Sequence, residues 1–213
     1  MLTPSSYLEK ELKVEEITGV LLAGGKSRRM GIDKRRILLN GQTLVERVLA
    51  VLESMYSEVL VVVAEGDLQF EAHKSRVVTD IIPNCATAGG LFTGLSYAEN
   101  EVVFVVACDM PFLHKGLITH MASRVENFDI TVAELTHGIQ PLHGFYRKNC
   151  LPALERMIKA NDLKVQHLFN DPNLSTQLMG ERELQDIDPH LLSFMNVNTP
   201  SDLEMARKVL QQR

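Results

Sequence analysis

Two rhythms alternate along this chain. Apolar runs at Ile17–Leu22, 58–64, Arg76–Thr79 and 102–106 are built largely from Val, Leu and Ile. Such runs fit strands covered on both faces, where no alternation with polar residues is needed. Between them, apolar residues recur every three or four positions. Leu44, Val45, Val48, Leu49, Leu52 and Met55 mark one helix, and Thr43 with Glu46 supplies a capping box at its start. A helix is predicted over 90–98, after a Gly89-Gly90 turn, and another over 115–125. Residues 129–134 and 142–146 read as strands flanking a turn at His137-Gly138, and Leu151–Lys159, 165–169 and Pro200–Gln211 read as helices.

Strands alternating with helices predict a mostly parallel sheet in a single α/β domain, a Rossmann-like three-layer sandwich over 17–213. The two strands within 129–146 interrupt that alternation and predict a mixed or antiparallel element near the sheet edge. Residues 1–16 are polar and form an N-terminal extension without the charged-then-apolar layout of a signal peptide.

Composition narrows the chemistry. The 213 residues are 45% hydrophobic, enough for one substantial core. No apolar stretch approaches the ~20 residues of a membrane span. Cys85, Cys108 and Cys150 form no CxxC pair, which disfavours a disulfide framework or structural zinc and fits a reducing cytoplasm. The net charge of −5 disfavours nucleic acid as a partner. Against that background, residues 24–36 hold Lys26, Arg28, Arg29, Lys34, Arg35 and Arg36, with only Asp33 opposing. A net +5 in thirteen residues leaves −10 for the rest of the chain. The basic segment follows the first strand directly and opens with Gly24-Gly25, whose backbone N–H groups can approach an anion without an intervening Cβ. A basic loop at the carboxyl end of a first strand predicts a site for a small polyphosphate. A structural turn with solvated charges is the alternative.

Two common phosphate motifs fail here. In a G-x-x-x-x-G-K-[ST] loop ending at Gly25-Lys26-Ser27, the first glycine would fall at Val20, but the glycine is Gly19. Gly24, Gly25 and Gly31 do not space as G-x-G-x-x-G.

Residues 22–34, Leu-Ala-Gly-Gly-Lys-Ser-Arg-Arg-Met-Gly-Ile-Asp-Lys, instead resemble the L-A-G-G-x-S-x-R-M-G-x-D-K signature of the molybdenum cofactor guanylyltransferases. Cys108-Asp109-Met110-Pro111 resembles that family's C-D-x-P, and residues 196–203, Asn-Val-Asn-Thr-Pro-Ser-Asp-Leu, resemble its N-V-N-T-P-x-D-L. The resemblance runs from about Ile17 to the end. It departs at 83–94, where the family commonly has P-G-x-G-P-L-x-G and this chain keeps Gly89, Leu91 and Gly94 but not the Gly-Pro. It departs again at 61–64, where some members carry an asparagine and this chain has only Val-Val-Val-Ala.

The resemblance implies a fold of the nucleotide-diphospho-sugar transferase type. It also implies transfer of GMP from GTP to the phosphate of a molybdenum-bearing molybdopterin, with Mg²⁺ and release of pyrophosphate. Alternatives are CTP with the same acceptor, a sugar- or polyol-phosphate acceptor, and a nucleotide-binding domain without turnover. Other proteins of molybdenum cofactor biosynthesis are implied as partners. Such chemistry is mainly positioning and charge neutralisation. Backbone N–H groups of Ala23, Gly24, Gly25 and Lys26 suit the β- and γ-phosphates. Lys34 suits the phosphate under attack and Arg28 the leaving pyrophosphate. Asp109, just past a strand, suits a metal, or else caps the turn that follows. Asp80 suits a nucleotide contact or an Asx-turn before Pro83. With no polar side chain at 61–64, guanine is expected to be read by the backbone of Leu22 and the 88–90 turn, with help from Asp80. Thr199, Pro200 and Asp202 make a helix start by themselves. Asn196 and Asn198 are left over, expected on one face of a short strand towards the acceptor. His143 to Tyr146 resembles a strand on the acceptor side, and the histidines show no ligand spacing.

Overall fold

The computed structural model describes residues 16–24, 36–64 and 74–212. They build a seven-stranded sheet. Its strands are β1 (Ile17–Leu22), β4 (Glu58–Val63), β5 (Arg76–Thr79), β6 (Val102–Ala107), β7 (Ile130–Leu135), β8 (Gly138–Arg147) and β9 (Thr176–Gly180), in the order β5-β4-β1-β6-β8-β7-β9. The first four run parallel. Strand β8 is antiparallel to both β6 and β7, and β9 pairs parallel with β7. A two-stranded hairpin, β2 (Leu38–Leu39) and β3 (Gln42–Thr43), precedes the first helix.

The unbroken apolar runs are explained by cover on both faces. Ile17 and Leu21 of β1 join Val59, Val61, Val63, Phe104 and Val106 in one core beneath α1 (Leu44–Met55) and α3 (Lys115–Ala122). Their neighbours Val20, Leu22, Leu60, Val62, Val103 and Val105 face a second core beneath α2 (Ala86–Tyr97) and α4 (Leu151–Lys159). Each fully buried side chain of this size contributes about 1.5–3 kcal/mol relative to exposure. Helix α2 lies close on β1 because of two glycines one turn apart. A Cβ at Gly94 would stand 2.8 Å from Val20 Cγ1, and one at Gly90 would stand 3.3 Å from Leu22 Cδ2.

Several expectations change. Helix α2 begins at Ala86, not at 90, so Gly89 and Gly90 are helix interior rather than a turn. Helix α3 ends at Ala122, and 165–170 is a 3-10 helix. The mixed element does lie near the edge, as expected, but the edge strand itself is the unpredicted β9, outside β8 and β7 and followed by the short α5 (Glu181–Gln185). Pro141, Leu142 and His143 bulge away from β7, which pairs Val132 with Gly144 and then Ala133 with Gln140. Pro141 has no N–H to lose there, and the Tyr146 hydroxyl donates to its carbonyl at 2.7 Å. The predicted capping box of Thr43 with Glu46 forms on α1, and the predicted helix start at Thr199 proves to be a capping box with Asp202 on α6 (Pro200–Gln211). The three cysteines are free thiols. Among the described residues, no helix is long and apolar enough to cross a membrane.

Candidate active site

The carboxyl ends of the parallel strands converge on one edge, and backbone hydrogen bonds tie them into a floor. Ala23 N–H donates to Val62 O at 2.9 Å, Asp80 N–H to Val63 O at 2.9 Å, and Cys108 N–H to Leu22 O at 3.3 Å. The ladder thus continues one residue past each strand, fixing where the chain turns away. Leu22 and Ala23 are buried, and Gly24 is exposed. Asp80 and Asp109 stand half-buried at the same edge, beyond β5 and β6.

Asp109 gains a second anchor from far along the sequence. Val197 N–H donates to Asp109 O at 2.8 Å, which brings Asn196 and Asn198 beside it. Val197 is fully buried, with Ile37, Leu39, Leu44, Phe112 and Ala206, in a small third core. The residues that follow the basic loop therefore pack against the segment that holds Asp109. Gly24 and Ile37, the flanks of that loop, both lie at this edge. The expected short strand at 196–198 does not form, and Val197 bonds instead to the turn that follows β6. Asn196 Nδ2 donates to Phe194 O at 3.3 Å, and Asn198 N–H donates to Asp202 Oδ2 at 2.9 Å. Gly25, Arg28 and Lys34, together with Lys26, Arg29 and Arg35, lie outside the described residues.

The cap of α3 is His114, whose Nδ1 accepts from Leu117 N–H at 3.2 Å. Among the described residues, no three His, Cys, Asp or Glu side chains group to hold a metal. Magnesium takes one or two carboxylates and completes its shell with substrate oxygens and water, and Asp109, half-buried at the carboxyl edge of the parallel strands, is a described residue that could hold it.

Asp80 does form the Asx-turn: its Oδ1 accepts from Ile82 N–H at 3.2 Å. The same Oδ1 accepts from Thr93 Oγ1 at 2.9 Å, and Thr93 Oγ1 in turn accepts from Ile81 N–H at 2.9 Å. Thr93 is fully buried on α2 and escaped the sequence reading. A signal existed, since a hydroxyl among Gly, Leu and Phe on a buried helix face must find partners. Residues 88–90 are not the expected turn but lie in the first turns of α2. The chain is strained where it enters α2, with Asn84 in the preceding loop at φ +65° and Ala86, the first helical residue, at φ +48°.

His143 is core, not ligand. It is fully buried between Phe104, edge-on at 5.2 Å between centroids, and Phe194 at 4.6 Å. Neither ring nitrogen has a hydrogen-bond partner among the described residues. Burial lowers its pKa to about 4, opposed weakly by its own backbone and by Asp188.

Residues 19–175 match the family described as MobA-like NTP transferase domain. A molybdenum cofactor guanylyltransferase of Desulfosudis oleivorans is 31% identical over 200 residues, covering 93% of this chain and 98% of that protein. A protein of Pelotomaculum thermopropionicum named "Probable molybdenum cofactor guanylyltransferase" is 35% identical over 194 residues, covering 90% of this chain and 92% of its own. In fold, the chain resembles the crystal structure of molybdopterin-guanine dinucleotide biosynthesis protein A from Archaeoglobus fulgidus, with a TM-score of 0.80 and 24% identity over 92% of this chain and all of that one. The family match spans most of the chain and these relatives align with it over nearly their whole length, so the chain belongs to the MobA-like NTP transferase family.

Proposed function

We propose that this chain transfers GMP from GTP to the terminal phosphate of a molybdenum-bearing molybdopterin. An acceptor phosphate oxygen attacks the α-phosphorus in line. A new P–O bond forms, the bond between the α-phosphorus and its bridging oxygen breaks, and pyrophosphate leaves with the electron pair. No protein nucleophile is needed. The observation that carries this reading is the placement of Asp109 beside the first-strand end that feeds the Gly-Gly basic loop, with Asn196 and Asn198 brought alongside by the Val197–Asp109 bond.

The roles divide by chemistry. Backbone N–H groups of Ala23, Gly24 and Gly25 cradle the β- and γ-phosphates. Lys34 contacts the α-phosphate, and Arg28 neutralises the departing pyrophosphate. Asp109 holds Mg²⁺, which supplies charge neutralisation across the phosphate oxygens when bound. The Leu22 backbone and Asp80 face the base. Guanine offers two adjacent donors, N1–H and the 2-amino group, which a carboxylate oxygen accepts and which cytosine lacks. Asn196 and Asn198 face the acceptor. Proteins that make or consume the pterin are the expected partners, and the reducing cytoplasm, where free thiols persist, is the expected setting.

The test is pyrophosphate release with molybdopterin acceptor and magnesium, run in parallel with GTP, CTP and UTP. Turnover with GTP, at least tenfold above the others, is expected. A site built to accept donors leaves its acceptors unpaired when the wrong base enters. Faster turnover with CTP would move the chain to the cytidylyl reaction.

A further inference from the structure

Asp80 does not offer a symmetrical carboxylate to the edge. Its Oδ1 already accepts two hydrogen bonds, from Thr93 Oγ1 at 2.9 Å and from Ile82 N–H at 3.2 Å. A carboxylate oxygen has about two acceptor sites, so Oδ1 is filled by the protein. Oδ2 makes no hydrogen bond with any described residue. It lies beside Gly89, where an added Cβ would stand 3.1 Å from it. The missing side chain at Gly89 thus keeps this oxygen uncrowded. Thr93 is as fully used: its hydroxyl proton goes to Asp80, and it accepts from Ile81 N–H.

We propose that Thr93 is a positioning residue for base selection, which commits Asp80 Oδ1 to the loop and leaves Oδ2 alone to accept from the nucleotide base. The inference rests on the reading that Asp80 faces the base. It adds that the contact is made through one oxygen rather than two, and that α2 sets its direction. One acceptor serves one strong donor well, and the 2-amino group of guanine is the donor that separates it from hypoxanthine. Selection between GTP and inosine triphosphate is then the property that Thr93 controls. Without its hydroxyl, Oδ1 loses a donor, Ile81 N–H loses its acceptor, and the carboxylate is free to rotate.

The experiment is titration calorimetry of GTP and inosine triphosphate, with magnesium, against the full chain and four variants. The wild type is expected to prefer GTP by about tenfold or more, the scale of one hydrogen bond to a charged acceptor. Asp80→Ala should abolish that preference. Thr93→Val, nearly equal in shape, should reduce it about fivefold, mainly by weakening GTP. Thr93→Ser keeps the hydroxyl and should restore it. Thr93→Ala serves as a second disruption should Val fail to fold, with thermal unfolding recorded for each. A ratio unchanged in Thr93→Val or Thr93→Ala, with both nucleotides weakened alike, would reduce Thr93 to a structural contact and overturn the inference while leaving Asp80 in place. A ratio unchanged in Asp80→Ala would instead remove Asp80 from base reading, and the inference with it.

Discussion

The sheet has two halves with opposite habits. In β5-β4-β1-β6 every strand runs the same way, and the strand ends meet at one edge. In β8-β7-β9 direction reverses, a bulge interrupts the pairing, and a histidine whose ring nitrogens have no hydrogen-bond partner among the described residues is buried against two phenylalanines. Parallel strands stack all their carboxyl ends on one side, so loops from distant parts of the sequence gather there without special packing. The reversed half gives up that convergence. What it gains is contact, because β8 fills the place between β6 and β7 and presents Phe145 to one core and Tyr146 to the other. Chemistry and cohesion are therefore separable here, and substitutions in the two halves should report on different quantities.

The largest effect is expected at Asp109. Asp109→Asn keeps the shape and deletes the charge, so magnesium-dependent turnover should fall by roughly a thousandfold or more, while thermal unfolding stays near wild type. Normal turnover in this variant would break the division between the halves. Next is Lys34→Ala, with an expected loss of about a hundred- to a thousandfold in rate. Arg35→Ala and Arg36→Ala, equal in charge, should each lose only a few-fold. Equal modest losses at all three would mean the loop acts as a diffuse basic patch, not as a positioned site.

The smallest effect, and the only one on stability, is expected at His143. Its folded pKa of about 4 lies below the ordinary 6.5, so the unfolded chain takes up a proton that the folded chain refuses. The stability held above pH 6.5 is lost as pH falls towards 4, by on the order of 3 kcal/mol in total. In His143→Leu that proton-linked loss should disappear. Urea unfolding between pH 7 and 4 would show wild-type stability falling relative to that of the variant by on the order of 3 kcal/mol as pH drops, while nucleotide binding at pH 7 changes little. Parallel curves would mean that the imidazole finds a proton partner.

The same division governs what could be read in advance. β1, β4 and β6 were legible because burial on both faces leaves an unbroken apolar run, and α1 and α6 because their capping boxes are local. The start of α2 was not. Gly89 and Gly90 look like a turn in sequence, but they serve contacts with Asp80 and Leu22 that are visible only in three dimensions. β9 was illegible because a short edge strand buries only Met179 and shows no clear period. At the site, Asp80, Asp109 and the Gly24 turn could be found from their places after strands. Thr93 could not be assigned a partner, because its bonds cross from α2 to the end of β5. The pairing of Val197 with Asp109 was equally hidden, since it spans most of the second half of the chain.

That last bond also sets an order in time. A ribosome making this protein releases β1, β4, β5 and β6 early, and these strands can settle into their parallel ladder while later residues are still being joined. Asp109 emerges with them, yet the backbone partner of its turn is Val197. Until that residue is out, the edge has its strands but neither the Asn196–Asn198 segment nor the small core that packs against Ile37. The nucleotide edge is therefore complete only once Val197 has been made and has closed on Asp109, well after the strands that carry that edge.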